Sequence, residues 1–304
     1  NSRHPMWIGW GPEASFLYND AYLSVLGQAK HPWALGRPAA EVWAEIWDVC
    51  GPLADKVFQR GEASFVDDVR LLMWRGDFLE ETFYSFSYSP IRDESGQVAG
   101  LFCPSTETTD KILNARRLAT LSSLAAKATV EATTLGACNT AMRIVGENPD
   151  DIPFALLYLL ENDRLVLQRS VGLDAQPQAF RPACIEPAAD ADAAPVWPLA
   201  EVIAHGQPLT CALAQGLTVI GIGDQPVREA IVLPVASSSQ DKPIGVLVAG
   251  ISPARRLDAE YRTFFTLVAG QIATALVNSQ AYETERRRAE ALAELDRAKT
   301  RFFS

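Results

Sequence analysis

The sequence predicts an α+β fold made of two domains in series, each an antiparallel sheet with flanking helices, joined by long helices. Three features predict it. The chain has 304 residues, enough to bury two separate cores. Strand-like apolar runs fall into two groups, one within residues 6–103 and one within 154–251. Proline-free stretches with apolar residues at helical spacing follow each group.

The elements follow in order. Residues 6–20 hold two short apolar runs around Gly11-Pro12, a hairpin signal. Ala21–Leu26 and the Trp43, Ile46 and Trp47 stripe are short helical pieces, and Leu53, Val57 and Phe58 continue into a helix ending near Gly61. Val66–Trp74, Leu79–Pro90 and Val98–Cys103 read as three strands, with Arg92–Gly96 as a polar turn. Together these give a five-stranded antiparallel sheet with helices on one face. Ile112, Leu113, Leu118, Leu121 and Leu124 place one long helix over Glu107–Ala128.

The second group opens with a helix over Leu135–Val145. Phe154–Leu160 and Leu165–Val171 form a hairpin around the Glu161-Asn162-Asp163 turn. Residues 174–198, rich in Ala, Pro and Asp, read as a long irregular loop, and Pro198–Gly206 as a short helix. Ala230–Val235 and Gly245–Ile251 are strands around a Ser237–Lys242 turn, and Leu257–Tyr282 is a long apolar helix. From 283 to 304 there is no Gly or Pro, and Ala289, Leu292, Leu295, Lys299 and Phe302 recur at three- and four-residue steps. So thin a stripe needs a partner helix, and a parallel homodimer supplies one.

Composition narrows the function classes. The formal charge of −10 repels nucleic acid and anionic membrane surfaces. Arg286, Arg287 and Arg288 are interleaved with Glu283, Glu285 and Glu290, as on a solvated helix face. Five scattered cysteines without a CxxC pattern fit a reducing, cytoplasmic setting. There is no run long and apolar enough to span a membrane. The start at Asn1 and the stop at Ser304 in mid-pattern read as the ends of a fragment.

Three stretches resemble known families. Trp7-Ile8-Gly9-Trp10, Phe16 to Tyr22, Leu35-Gly36-Arg37-Pro38 with Val42-Trp43, and above all Tyr84 to Gly100 resemble a PAS domain. The strand order from Phe154, the Gly245–Ile251 strand and the helix after it resemble a GAF domain. Ala298-Lys299-Thr300-Arg301-Phe302-Phe303-Ser304 resembles the start of the dimerisation helix of a sensor histidine kinase. The resemblances imply a PAS-like sensor domain at 1–109, a connecting helix at 110–128, a GAF-like sensor domain at 117–281 and a coiled-coil signalling helix at 282–304. They imply the sensory region of a two-component kinase, with the phosphoacceptor His and the kinase core beyond Ser304. ATP is then expected only in that core, and so is contact with a response regulator. The alternative is a PAS–GAF module that binds a ligand or cofactor and controls a cyclase or transcription regulator.

No catalytic or metal-binding set is expected within these residues, and no cofactor is predicted. His31 precedes Pro32 in a loop, poor geometry for a haem ligand, and no His pair or HExxH pattern occurs. Cys50, in Trp47-Asp48-Val49-Cys50-Gly51, does not match the flavin-photoreceptor motif, and no Cys-His pair offers a bilin site. Cys184 and Cys211 are the candidates for a sulfoxide-reductase thiol pair, although neither has a flanking cation to lower its pKa. Trp43, Trp47, Phe86 and Tyr88 are candidate walls of a pocket for an unknown small ligand, with core filling as the plainer reading. Glu80, Glu81 and Glu107 read as exposed strand-end charges.

Overall fold

A computed structural model describes residues 2–76, 78–186, 196–236 and 242–302. The chain divides into two compact units, Asn1–Ala115 and Arg116–Ser304. Each contains one antiparallel sheet with helices packed against it.

In the first unit, β1 (Met6–Trp10) and β2 (Ser15–Tyr18) form a hairpin across Gly11, which sits at φ +76°. Helices α1 (Leu23–Lys30), α2 (Ala39–Val42) and α3 (Trp47–Arg60) follow. Gly61 ends α3 in the left-handed conformation, a frequent helix stop. Strands β3 (Ser64–Trp74), β4 (Leu79–Arg92) and β5 (Val98–Glu107) complete a sheet of order β2-β1-β5-β4-β3. Trp7, Phe16, Phe86, Tyr88 and Leu101 meet Val42 of α2, Trp43 in the turn after it and Val57 of α3 in one core.

Helix α4 (Thr109–Ser123) comes next and ends in a π-helical turn, Leu124–Ala128. The helix expected without interruption over 107–128 thus changes hydrogen-bonding pattern at Leu124. In the second unit α5 (Thr134–Gly146) is capped by the Thr133 side chain. Strands β6 (Ala155–Glu161) and β7 (Arg164–Val171) turn at Asn162 and Asp163, both at positive φ, as a two-residue hairpin requires. The described part of the expected 174–198 loop has some regular structure. It contains a short helical turn, Gln178–Phe180, and a two-residue strand, β8 (Cys184–Ile185), on the sheet edge. Residues 187–195 of that loop, and 237–241 of the expected Ser237–Lys242 turn, lie outside the described residues.

Helix α6 (Leu199–His205) leads to β9 (Leu209–Ala212), a strand with no sequence expectation. Strands β10 (Glu229–Val235) and β11 (Gly245–Gly250) follow, giving the order β8-β7-β6-β11-β10-β9. The chain then runs as a single helix, α7 (Ala259–Phe302).

Successive residues of β6, β10 and β11 point to opposite faces, and both faces are apolar. One face, with Leu157, Leu233 and Leu247, packs on α5, α7 and the π turn. The other, with Leu156, Val232 and Val248, is covered by Trp197 and by Leu199 and Val202 of α6. Gly172 sits at φ +74°, and a Cβ there would lie 2.3 Å from the Pro153 carbonyl oxygen. Gly206 has a similar φ of +64° with open space around it. Gly172→Ala is expected to cost about 3 kcal/mol or more and Gly206→Ala about 1 kcal/mol. Urea unfolding of the two variants checks this difference.

Candidate functional site

The first unit encloses a cavity between its helices and sheet. The wall contains Trp7, Tyr22, Trp43, Cys50, Phe86, Tyr88, Cys103 and Ser105, with aliphatic residues between them. Three of the four predicted wall residues, Trp43, Phe86 and Tyr88, therefore meet around one space. Trp47 packs against the core without lining the cavity. Trp43 is fixed by Lys30, whose ammonium lies 3.9 Å from the ring centre and is held by Glu45 at 2.5 Å and by the Val42 carbonyl at 2.8 Å. The open volume is about 30 Å³, room for one or two waters, whereas ligand pockets run to about 300–1,000 Å³. Burial pushes the Cys50 thiol up to about 11 and the Cys103 thiol up to about 12. Both are neutral at pH 7 and poor nucleophiles.

The last strand of this unit ends in a charged cluster. Glu107 accepts from Arg75 at 2.8 Å and from the Tyr84 hydroxyl at 3.0 Å, and Arg75 also bonds Tyr84. The Thr109 hydroxyl donates to the other Glu107 oxygen at 2.8 Å and accepts from the Phe83 amide at 3.0 Å, which fixes the first turn of α4 to the sheet. The expectation of exposed strand-end charges is corrected for Glu81, which is buried and pairs with Arg70, and for Glu80, which is half-buried and pairs with Arg75; Glu107 is exposed at the end of β5 and pairs with Arg75. Burial alone raises a carboxyl pKa; at Glu107 the Arg75 guanidinium outweighs it and holds the group below its usual value. His31 accepts from or donates to the Tyr18 hydroxyl at 2.8 Å, and the His205 ring meets the Glu201 carbonyl at 3.0 Å. Among the described residues no group of three or more His, Cys, Asp and Glu is arranged to hold a metal ion.

The second unit carries a buried ionic node that sequence reading missed. The Asp151 carboxylate accepts from Arg116 at 2.8 and 3.1 Å, from Arg117 at 3.3 Å and from Asn148 at 3.0 Å. The Arg117 guanidinium lies over the rings of Tyr261 and Phe264 on α7. The Tyr261 hydroxyl donates to the Asp151 carbonyl and accepts from the Ser252 amide. The sequence signal was an Arg-Arg pair in a helix facing an Asp-Asp pair some 35 positions on, and both pairs look solvated in isolation.

The same helix α7 passes from core to solvent. Residues from Tyr261 to Ser279 include a continuous buried stripe. Glu283 is its last anchor, accepting from the Thr134 amide at 3.0 Å at the start of α5. Beyond it Leu292 and Leu295 are each 68% exposed. Lys299 and Phe302 continue the helix, and their side chains lie outside the described residues. An open cleft of about 610 Å³ lies beside this exit, lined by Thr134 and Gln280 and by Glu161 and Lys242.

Residues 127–277 match the family model of the GAF domain. They form a GAF domain. Solved structures similar to the chain include the following three. One is the GAF domain of an Acinetobacter phosphoenolpyruvate-protein phosphotransferase, with 16% identity and a TM-score of 0.40, covering 54% of this chain and 95% of that one. Another is the free methionine-R-sulfoxide reductase of Neisseria meningitidis in complex with its substrate, with 17% identity and a TM-score of 0.39, covering 54% and 90%. A third is a GAF domain assigned to a sensor histidine kinase of Pseudomonas syringae pv. tomato, with 16% identity and a TM-score of 0.40, covering 59% and 97%. No curated protein matches the chain.

Within the GAF domain the candidate thiol pair is not assembled. Cys184 is on β8 and Cys211 on β9, the two opposite edges of the sheet. Four strands separate them, about 24 Å at a strand spacing of about 4.8 Å, against the roughly 7 Å between Cα atoms that a disulfide allows. Burial raises the Cys211 pKa further, away from thiolate character. None of the described helices is long and apolar enough to cross a membrane.

The Arg75–Glu107 pair has a pH signature. Glu107 is depressed in the folded state, so its contribution is present above the unfolded value and lost as pH falls through the folded one. Glu107→Gln is expected to be less stable than the parent at pH 7, with the gap closing between about pH 5 and pH 3. Tryptophan fluorescence in urea reads this, since six of the seven tryptophans, all but Trp197, lie in the first unit.

Proposed function

We propose that this chain is the sensory and relay region of a two-component sensor histidine kinase. The first unit is a PAS-like sensor, the GAF domain follows it, and α7 carries the signal onward as one strand of a parallel homodimeric coiled coil. The carrying observation is the change in α7 from a buried stripe to exposed leucines within one helix. Its first half is part of the GAF core, and its second half presents Leu292 and Leu295 to solvent with 68% exposure each. An exposed leucine stripe on a helix of 44 residues is stable when a second helix covers it.

Two further observations support the reading. The first unit has the five-stranded antiparallel sheet and one-sided helices that its sequence resemblance implies. The run Ala298 to Ser304 resembles the opening of a kinase dimerisation helix. In this reading the chain is a cytoplasmic regulator, and ATP and the response regulator are bound by a kinase core outside these residues. A ligand of the PAS-like unit would have to be small to fit its cavity of about 30 Å³.

Single cysteines placed at 285–302, in a Cys184→Ser and Cys211→Ser background, test the dimer. Crosslinks are expected at three- and four-residue intervals in phase with Leu292, Leu295, Lys299 and Phe302. No crosslinks, or equal crosslinking at every position, would overturn the proposal.

A further inference from the structure

The GAF domain has two helices at its boundary with the rest of the chain, α4 on the way in and α7 on the way out. Asp151 lies between them and is almost fully buried, its side chain 2% exposed and that of Arg117 7%. Two arginines compete for this one carboxylate. Arg116 takes it with two nitrogens, Nε at 2.8 Å and Nη2 at 3.1 Å, while Arg117 reaches it with Nε alone at 3.3 Å. Arg117 Nη2 is buried without a hydrogen-bond partner. A buried donor left unsatisfied is costly, so the arrangement favours any rearrangement that serves it.

Arg117 is also the residue of this pair that touches α7. Its guanidinium centre lies 4.3 Å from the Tyr261 ring centre and 5.5 Å from that of Phe264. Tyr261 in turn holds the Asp151 carbonyl through its hydroxyl. Arg116 points to Asp150 as well, at 3.3 Å. Thus Arg116 has a second carboxylate within reach and can release Asp151.

We propose that Arg117 is a positioning residue that couples α4 to α7, and that the node has two arrangements. In the one described, Arg116 holds Asp151 bidentately and Arg117 shares it. In the other, Arg116 withdraws to Asp150 and Arg117 takes both Asp151 oxygens, which pulls its guanidinium along the Tyr261 and Phe264 rings and shifts the first turns of α7. This inference rests on the reading of α7 as a relay helix. It adds how a change in α4 reaches that helix.

Hydrogen exchange of the full chain tests it. Ala119→Gly loosens α4 at an exposed position two residues from Arg117. In the parent background it is expected to speed exchange in α7 over 259–268 by about five-fold or more. In an Arg117→Met background the same glycine is expected to leave α7 exchange unchanged. Arg117→Lys, which keeps the charge and loses the planar fork, gives the same uncoupling and serves if the methionine variant fails to fold. The proposal is overturned if Ala119→Gly leaves α7 unaffected in the parent, or affects it equally with and without Arg117. Failure of the dimer reading shows separately, as missing crosslinks at 285–302 with this exchange pattern intact.

Discussion

The GAF sheet is apolar on both faces, and that constraint organises the second unit. In β11 every residue from Gly245 to Gly250 is buried, with Leu247 on one face and Val246 and Val248 on the other. A sheet of this kind is stable only when both faces are covered. One cover is helical, from α5 and the first half of α7. The other is irregular, with Trp197 filling the space and its indole N–H satisfied by the Phe180 carbonyl at 3.1 Å. Each fully buried Leu, Val or Phe contributes about 1.5–3 kcal/mol. The core therefore seats the first half of α7 on the sheet, with Arg117 against its first turns, and leaves the second half open to another helix.

The buried charges follow a different logic. Arg117 and Asp151 are expensive to desolvate, and their pairing repays that cost only with good geometry and full hydrogen bonding. The geometry here is incomplete, since one Arg117 nitrogen is unserved. An apolar pair of similar volume would fill the same site as stably or better. What the ionic pair adds is direction, because it links three segments that apolar packing alone would leave free to slide. The Arg75, Tyr84 and Glu107 cluster does the same at the end of β5, where it ties the start of α4 to the sheet through Thr109. Burial keeps the Tyr84 hydroxyl protonated and available as a donor to Glu107.

How much of this was legible depended on whether the signal was periodic. Apolar runs such as 155–160 and 245–250 announced their strands, and Asn162-Asp163 announced a turn that needs positive φ at both residues. Gly61 marked the end of α3. The edge strands β8 and β9 were not legible. They have two and four residues, and edge pairing demands no apolar pattern. Glu81 was misread because a carboxylate in a strand looks solvated until Arg70 is seen across the ladder. The Arg116, Arg117 and Asp151 node was hidden for the same reason. Its partners are 34 and 35 positions apart, and nothing local marks them as buried.

The aromatic residues of the first unit show the limit from the other side. Trp43, Phe86 and Tyr88 border one interior space. What remained between them is a matter of packing. Trp7 and Phe16 lie 4.6 Å apart and Phe86 and Tyr88 5.0 Å apart, spacings at which aromatic rings fill space against each other. The residual volume of about 30 Å³ is bordered by the Cys50 and Cys103 thiols and the Ser105 hydroxyl, a lining that suits a hydrogen-bonded water rather than a planar ring. Residue type alone does not select the inward side chains, since Trp10, Trp33 and Trp74 of the same unit are exposed. Only the rotamers of the inward ones decide whether the interior they enclose is a pocket or a core, and rotamers leave no trace in the spacing of a sequence.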